Sequence, residues 1–163
     1  MSENDSPRHT ALSRISEFES ALDEIISSAQ HELRVFDTAL GSAFNSSART
    51  EALRRFLLAS RRNRLRIVVH DTAHVVRTCP RLLELLRRFG GAISINETQP
   101  QAKGIYDPFT VADEQHSVRR FHFEAMRGLF AMNDPIEARA LIERFEEIWE
   151  ASSPAVSGTT LGL

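Results

Sequence analysis

The stretch that decides the fold is residues 65–96, LRIVVHDTAHVVRTCPRLLELLRRFGGAISIN. Leu65-Arg66-Ile67-Val68-Val69-His70 is rich in β-branched residues and predicts a buried strand that ends at Asp71. A helical region runs from about Thr72 to Phe89 and is interrupted by Pro80. Proline has no N–H and is tolerated in a first helical turn, so Pro80 starts a separate helix, Arg81 to Phe89. Gly90-Gly91 ends it, and Ala92-Ile93-Ser94-Ile95-Asn96 predicts the next strand. Strand, helix and strand in this order are a parallel βαβ unit.

The same alternation extends towards the N-terminus. Ile15, Phe18, Leu22, Ile25, Ile26 and Ala29 have helical spacing, with Ser13 as cap or Ser16 and Glu19 as a capping box. That helix ends near Glu32, and Leu33 to Asp37 predicts a short strand. Residues 38–47, with Gly41, form a loop. A helix from about Ala48 to Arg62 carries Ala52, Leu53, Phe56, Leu57 and Ser60 on one face and Arg54, Arg55, Arg61 and Arg62 on the other.

Beyond residue 96 the pattern changes. Residues 97–107 are a loop with Pro100 and Gly104, and Phe109 to Asp113 alternates as a strand does. Gln115 to Glu124 and Ala125 to Met132 complete a meander. Asn133-Asp134-Pro135 starts a last helix, capped by Asp134, with Ile136, Ala140, Leu141, Phe145, Ile148 and Trp149 inward. The expected fold class is α/β: a mixed, mostly parallel sheet with helices on both faces. Residues 1–12 read as a disordered arm, 13–151 as one domain and 152–163 as a flexible tail.

The chain has 163 residues, 42% hydrophobic and 26% charged, which suits one globular domain and excludes a disordered chain. A single cysteine, Cys79, excludes a disulfide framework and a zinc ribbon. No apolar run reaches the roughly 18 residues of a membrane span, and no signal-peptide core is present, so a soluble cytoplasmic protein is expected. Charge is segregated: 19 of the 20 basic residues are arginine, residues 49–88 carry a balance of +8, and residues 1–32 and 134–150 carry −5 and −4. Acidic terminal helices packed beside a basic middle explain this, and so does an arginine face for phosphate.

Three clusters invite a functional reading. His70-Asp71-Thr72-Ala73-His74 sits at a strand end, where open α/β sheets bind ligands. Asp71 or Thr72 caps the next helix in the ordinary reading; in the functional one its free N–H groups, with Arg77 and Arg81, hold an anion. A metal on His70, Asp71 and His74 requires His70 to be helical, against the strand pattern. Arg119-Arg120-Phe121-His122-Phe123 alternates, so Arg120 and His122 share one side as either a phosphate-binding surface or a charged edge strand. No Ser-His-Asp, Walker or G-x-G-x-x-G pattern occurs, and no cofactor is expected.

The order of elements, Ala29-Gln30-His31-Glu32-Leu33-Arg34-Val35, Leu53 through Val69, Phe89-Gly90-Gly91 between Leu85 and Ile95, Phe109 through Asp113, and Asn133-Asp134-Pro135 leading to Phe145-Glu146-Glu147-Ile148-Trp149 together resemble one repeat of the phospholipase D-like superfamily. The likeness covers residues 14–151. In that family the motif H-x-K-x4-D implies a histidine nucleophile, a lysine on the phosphate oxygens and an aspartate supporting the imidazole. Aligned on Asp113, the histidine falls on Tyr106 and the lysine on Pro108, while the small Gly-Ser pair falls on Arg120-Phe121. A second register, Gln101-Ala102-Lys103, lacks the imidazole too and has Pro108 where the aspartate belongs.

The resemblance therefore implies a catalytically inactive domain. It further implies a homodimer about a two-fold near the motif strand, because active members pair two repeats. Some single-repeat domains of this kind are joined to acetyltransferases, which makes such an enzyme a candidate protein partner; this chain has no Q-x-x-G-x-G/A loop of its own. Two other functions stay open. One is nucleic-acid binding without cleavage through Arg54, Arg55, Arg61, Arg62, Arg119 and Arg120. The other is a phosphodiesterase with a displaced nucleophile, His116 or His122.

Overall fold

The computed structural model describes residues 6–157. In chain order the elements are β1 (Arg8–Leu12), α1 (Ile15–Ser28), β2 (Glu32–Asp37), a 3-10 turn (Ser42–Asn45), α2 (Ser47–Ala59) and β3 (Arg64–Val69). There follow α3 (Thr72–Thr78), α4 (Pro80–Arg88), β4 (Ile93–Thr98), a 3-10 turn (Pro100–Ala102) and β5 (Phe109–Ala112). The chain continues through β6 (His116–Arg120), β7 (Gly128–Met132), α5 (Pro135–Glu150) and β8 (Ser152–Val156).

All eight strands share one sheet, in the order β1-β7-β6-β5-β2-β3-β4-β8. The sheet is mixed, as expected, but its parallel part is confined to β2, β3 and β4; the other five pairings are antiparallel. In the parallel centre Leu33, Leu65 and Ile93 lie side by side, as do Val35, Ile67 and Ile95. Because strand side chains alternate, these six share one face and form the larger core with α1, α2 and α4. Phe36 and Val68 point the other way and, with Phe109 and Val111, pack on Ala138, Leu141, Phe145 and Ile148 of α5. Two faces buried by helices explain the nearly continuous apolar run of β3.

Two segments expected to lie outside the domain belong to its sheet. Residues 8–12 are not a disordered arm: β1 pairs with β7 through all five residues. An edge strand needs little apolar surface, and here only Leu12 is buried, so the segment's polarity hid it. Residues 152–156 are not a flexible tail: β8 pairs with β4, and Pro154 is accommodated because β8 is an edge. The rest of the expected arm and tail, residues 1–5 and 158–163, lies outside the described residues.

Other boundaries moved for local reasons. β6 stops at Arg120 and β7 starts at Gly128, so residues 121–127 are a loop and not the strand expected there. A Cβ on Gly128 would stand 2.0 Å from the Arg119 carbonyl oxygen and 2.5 Å from Phe18 Cζ, which fixes glycine at the close approach of α1 to the β6–β7 pair. Ser13 does not cap α1; its N–H and hydroxyl both donate to Glu17 Oε1, at 3.1 and 3.2 Å. On α5, Ile136 is 85% exposed and Ala140 is also outside, because Ala138 takes the inward position in the first turn.

Candidate functional site

A mouth-shaped cavity of about 320 Å³ opens at the C-terminal end of β2, between α1, the loop after β2, and β5 and β6. The pleat sets its floor. Val35 and Asp37 of β2, Thr110 of β5 with Pro108 just before it, and Val118 and Arg120 of β6 alternate onto the α1 side of the sheet. Phe36 pairs with Phe109, so Asp37 lies opposite Pro108, and the Arg120 N–H donates to the Pro108 carbonyl at 2.9 Å. Asp37, Pro108 and Arg120 therefore form a row across three neighbouring strands. Ile15, Phe18, Leu22, Leu40 and Phe44 supply apolar walls.

The two charged members of the row differ in their surroundings. Burial pushes the Asp37 carboxyl up; hydrogen bonds from Thr38 and the charge of Arg120 oppose this. Oδ1 accepts from the Thr38 N–H at 2.6 Å. The Arg120 guanidinium donates to the carbonyls of Phe123 and Ala125 and lies 5.8 Å from the Phe18 ring centre. Among the described residues no carboxylate comes within ion-pair distance of it. Asp37 was legible in sequence only as a strand end, although it continues the inward alternation of Leu33 and Val35 and so breaks an apolar face.

Tyr106 precedes β5, 45% exposed, in an aromatic cluster with His70, His122 and Phe123. His70 caps the end of β3 with both ring nitrogens engaged: Nε2 donates to the Ile105 carbonyl at 2.7 Å, so Nδ1 accepts from the Thr98 hydroxyl at 2.6 Å. Lys103, the single lysine, donates through Nζ to the His70 carbonyl at 2.6 Å. His122 accepts the Glu124 N–H on Nδ1 at 3.2 Å. His116 lies elsewhere, at the start of β6, where Nδ1 accepts the N–H of Asn133 from the turn before α5 at 3.0 Å; burial holds its pKa below the usual imidazole value. The two displaced-nucleophile candidates are thus separated: His122 is beside Tyr106 and His116 is not.

Asp113 stands at the opposite end of β5 from Tyr106 and Pro108. It has φ 55, and its carboxylate accepts the N–H groups of Gln30 (3.0 Å), His31 (2.8 Å) and Glu32 (3.0 Å). An aspartate committed to three main-chain amides at that end cannot steady an imidazole at position 106. The supporting role that the motif implied for it is replaced by a structural one, holding the α1–β2 turn against the β5–β6 hairpin.

The anion positions expected from sequence do not converge. Asp71 caps α3, accepting the His74 N–H at 3.1 Å, and the Thr72 N–H and hydroxyl donate to Glu97 Oε1 at 3.1 and 2.9 Å. The chain's own Glu97 carboxylate thus occupies the helix start that the sequence offers to an external anion. Arg81 is tied to Asn45 through its main-chain N–H and its guanidinium, and Arg77 is exposed on α3. Arg119 faces α5, paired with Glu137 at 3.1 Å, while Arg120 faces the cavity. Asp71 and Thr72 share the end of the sheet where Tyr106 and Pro108 lie, since β3 runs parallel to β2 and the Asp71 N–H donates to the Thr38 carbonyl at 3.2 Å, but of the expected set only Arg120 lines the cavity on its α1 side and only His122 packs on Tyr106. Among the described residues no three of His, Cys, Asp or Glu converge as metal ligands, and no helix is long and apolar enough to cross a membrane.

Comparison with known proteins bears on the fold. A family described as a domain of unknown function, DUF7931, matches residues 14–158. No curated protein matches the sequence. Among solved structures, Nuc of Salmonella typhimurium, a phospholipase D family member, superposes with a TM-score of 0.64 at 15% identity, over 93% of this chain and 100% of that one. NucT of Helicobacter pylori gives 0.60 at 13%, over 92% and 100%. TrmBL2, an archaeal chromatin protein with a novel mode of DNA binding, gives 0.66 at 12%, over 91% of this chain and 54% of that one, so the chain spans about half of its length. At these identities the likeness shows the fold, which is phospholipase D-like.

Proposed function

We propose that this chain, which belongs to the DUF7931 family, is a non-hydrolytic phospholipase D-like domain that works as a homodimeric binding module. One observation supports the reading: position 106 holds no imidazole and position 108 no cation, where the resemblance puts the family's pair. Tyr106 and Pro108 stand at the nucleophile and lysine positions. The half-buried imidazole beside Tyr106, His70, has both nitrogens in hydrogen bonds, and the single ammonium is bound to a carbonyl. A phenol is a poor nucleophile near neutral pH, and proline offers no charge. The exposed rings of Tyr106 and Phe121, 45% and 49%, give this end an apolar surface that suits a second copy, and the resemblance read from sequence implies a two-fold there. Size-exclusion chromatography with light scattering tests the dimer: twice the chain mass of 18.4 kDa is expected, and a clean monomer at micromolar concentration overturns it.

A second reading, nucleic-acid binding without cleavage, is favoured by a different observation. Arg55 on α2 and Arg61 and Arg62 in the turn after it are exposed and ion-pair with no carboxylate among the described residues. The larger set read from sequence is not one surface, since Arg54 is bound to Glu51 and Arg119 and Arg120 face opposite sides of the sheet. Three phosphate contacts predict a slope of about −3 in log K against log salt, read by gel shift. No binding at low salt ends this reading.

A further inference from the structure

We propose that the cavity between α1 and the β2–β5–β6 floor binds a small organic anion with an apolar body, its charge meeting Arg120. This gives the binding module a ligand class, and rests on that reading only in treating this end of the sheet as a place that holds a ligand without cleaving it.

Volume and lining come first. About 320 Å³ lies at the lower end of the range of small-molecule sites, and such sites are mostly apolar with few, convergent polar groups. Here the walls are the side chains of Phe18, Leu22, Leu40 and Phe44, and the polar groups lie in the floor. Asp37 and Arg120 are separated by two strand spacings, roughly 9.5 Å between backbones, with Pro108 between them.

The sign of the ligand follows from what faces the floor. Arg120 is braced by the carbonyls of Phe123 and Ala125, which orient its charge without cancelling it. From α1, Glu19 is turned to Arg49, 3.9 Å away. From β6, Arg119 points to the other side of the sheet, onto Glu137. Asp37 is the other acid of the lining; burial pushes its carboxyl up, its Oδ1 is occupied by the Thr38 N–H at 2.6 Å, and it makes no ion pair with Arg120. The guanidinium charge is thus left for a carboxylate, sulfonate or phosphate monoanion, and the apolar walls require a hydrocarbon or aromatic body behind it.

Isothermal titration of the full chain with decanoate, 1-decanol and decylamine tests this. Saturable binding of decanoate is expected, tighter than either comparison ligand by on the order of tenfold, the size of one charge-assisted contact. R120Q loses that margin and R120K retains it. Because Arg120 also braces residues 123–125, A39F provides a second variant: it keeps the guanidinium, fills the cavity from the loop after β2, and abolishes binding. No saturable decanoate binding by the wild type, decanol or decylamine binding as tightly, or unchanged binding by A39F each overturns the inference. Hydrolysis of a phosphodiester would instead sink the non-hydrolytic reading and leave decanoate binding to be judged separately.

Discussion

The carboxylate of Asp113 accepts the main-chain N–H of His31 at 2.8 Å, joining the turn after β5 to the turn before β2. The same carboxylate takes the neighbouring amides of Gln30 and Glu32, and the Asp113 N–H donates back to the Glu32 carbonyl at 2.8 Å. The residue in the motif's aspartate position thus locks two sheet neighbours in register at the end remote from the cavity.

Asp113→Ala removes the acceptor for three amides and places alanine at φ 55. Hydrogen bonds to a charged group contribute about 1.5–3 kcal/mol each, less where water replaces the acceptor, so a loss of about 3 kcal/mol is expected. Urea denaturation measures it. Asp113→Asn, which tolerates the left-handed backbone, loses less. A change under about 0.5 kcal/mol for alanine, the scatter of ordinary surface substitutions, contradicts the structural role.

Gly128→Ala is expected to destabilise by about 3 kcal/mol or more, at the upper end of overpacking. Its Cβ meets a backbone oxygen at 2.0 Å, which cannot retreat without breaking the β6–β7 pairing. Thermal unfolding reads the effect, and a melting temperature equal to wild type refutes the close approach.

His116 gives a pH dependence with a definite sign. Its folded pKa lies below the unfolded value near 6.5, because burial disfavours the charged ring. The native state therefore binds fewer protons than the unfolded one. Its contribution is complete above about pH 6.5 and falls as pH drops from there through the lowered folded value. Denaturation at pH 7.5, 6.5 and 5.5 should show the decline, and His116→Gln, which keeps an acceptor for the Asn133 N–H, should flatten it. Equal slopes in both proteins contradict the assignment.

Deleting residues 1–12 removes β1, uncovers the edge of β7 and discards buried Leu12, 5% exposed. Burying one leucine contributes about 1.5–3 kcal/mol, so a loss of at least that size is expected, with increased aggregation at the bared edge. Unchanged stability and solubility would show that β1 is not held to the sheet.

The central part of the fold was legible because its signals are local. β3 reads as an apolar β-branched run, Pro80 separates α3 from α4, and Asp134 and Pro135 start α5 as their chemistry dictates. The edges were not legible, since Arg8–Leu12 and Ser152–Val156 bury almost nothing and owe their form to a neighbouring strand. Of the site, the sequence alone singled out Tyr106, Pro108, Arg120 and His122, and it did so separately. The row of Asp37, Pro108 and Arg120 joins residues far apart in sequence through strand register, which no local pattern encodes.

The most direct test of the account is hydrolysis of bis-p-nitrophenyl phosphate by the purified full chain, beside His122→Ala. The account predicts no p-nitrophenolate above a protein-free blank from either protein. Turnover by the wild type that His122→Ala abolishes would mean that the imidazole beside Tyr106 attacks phosphorus, and would contradict it.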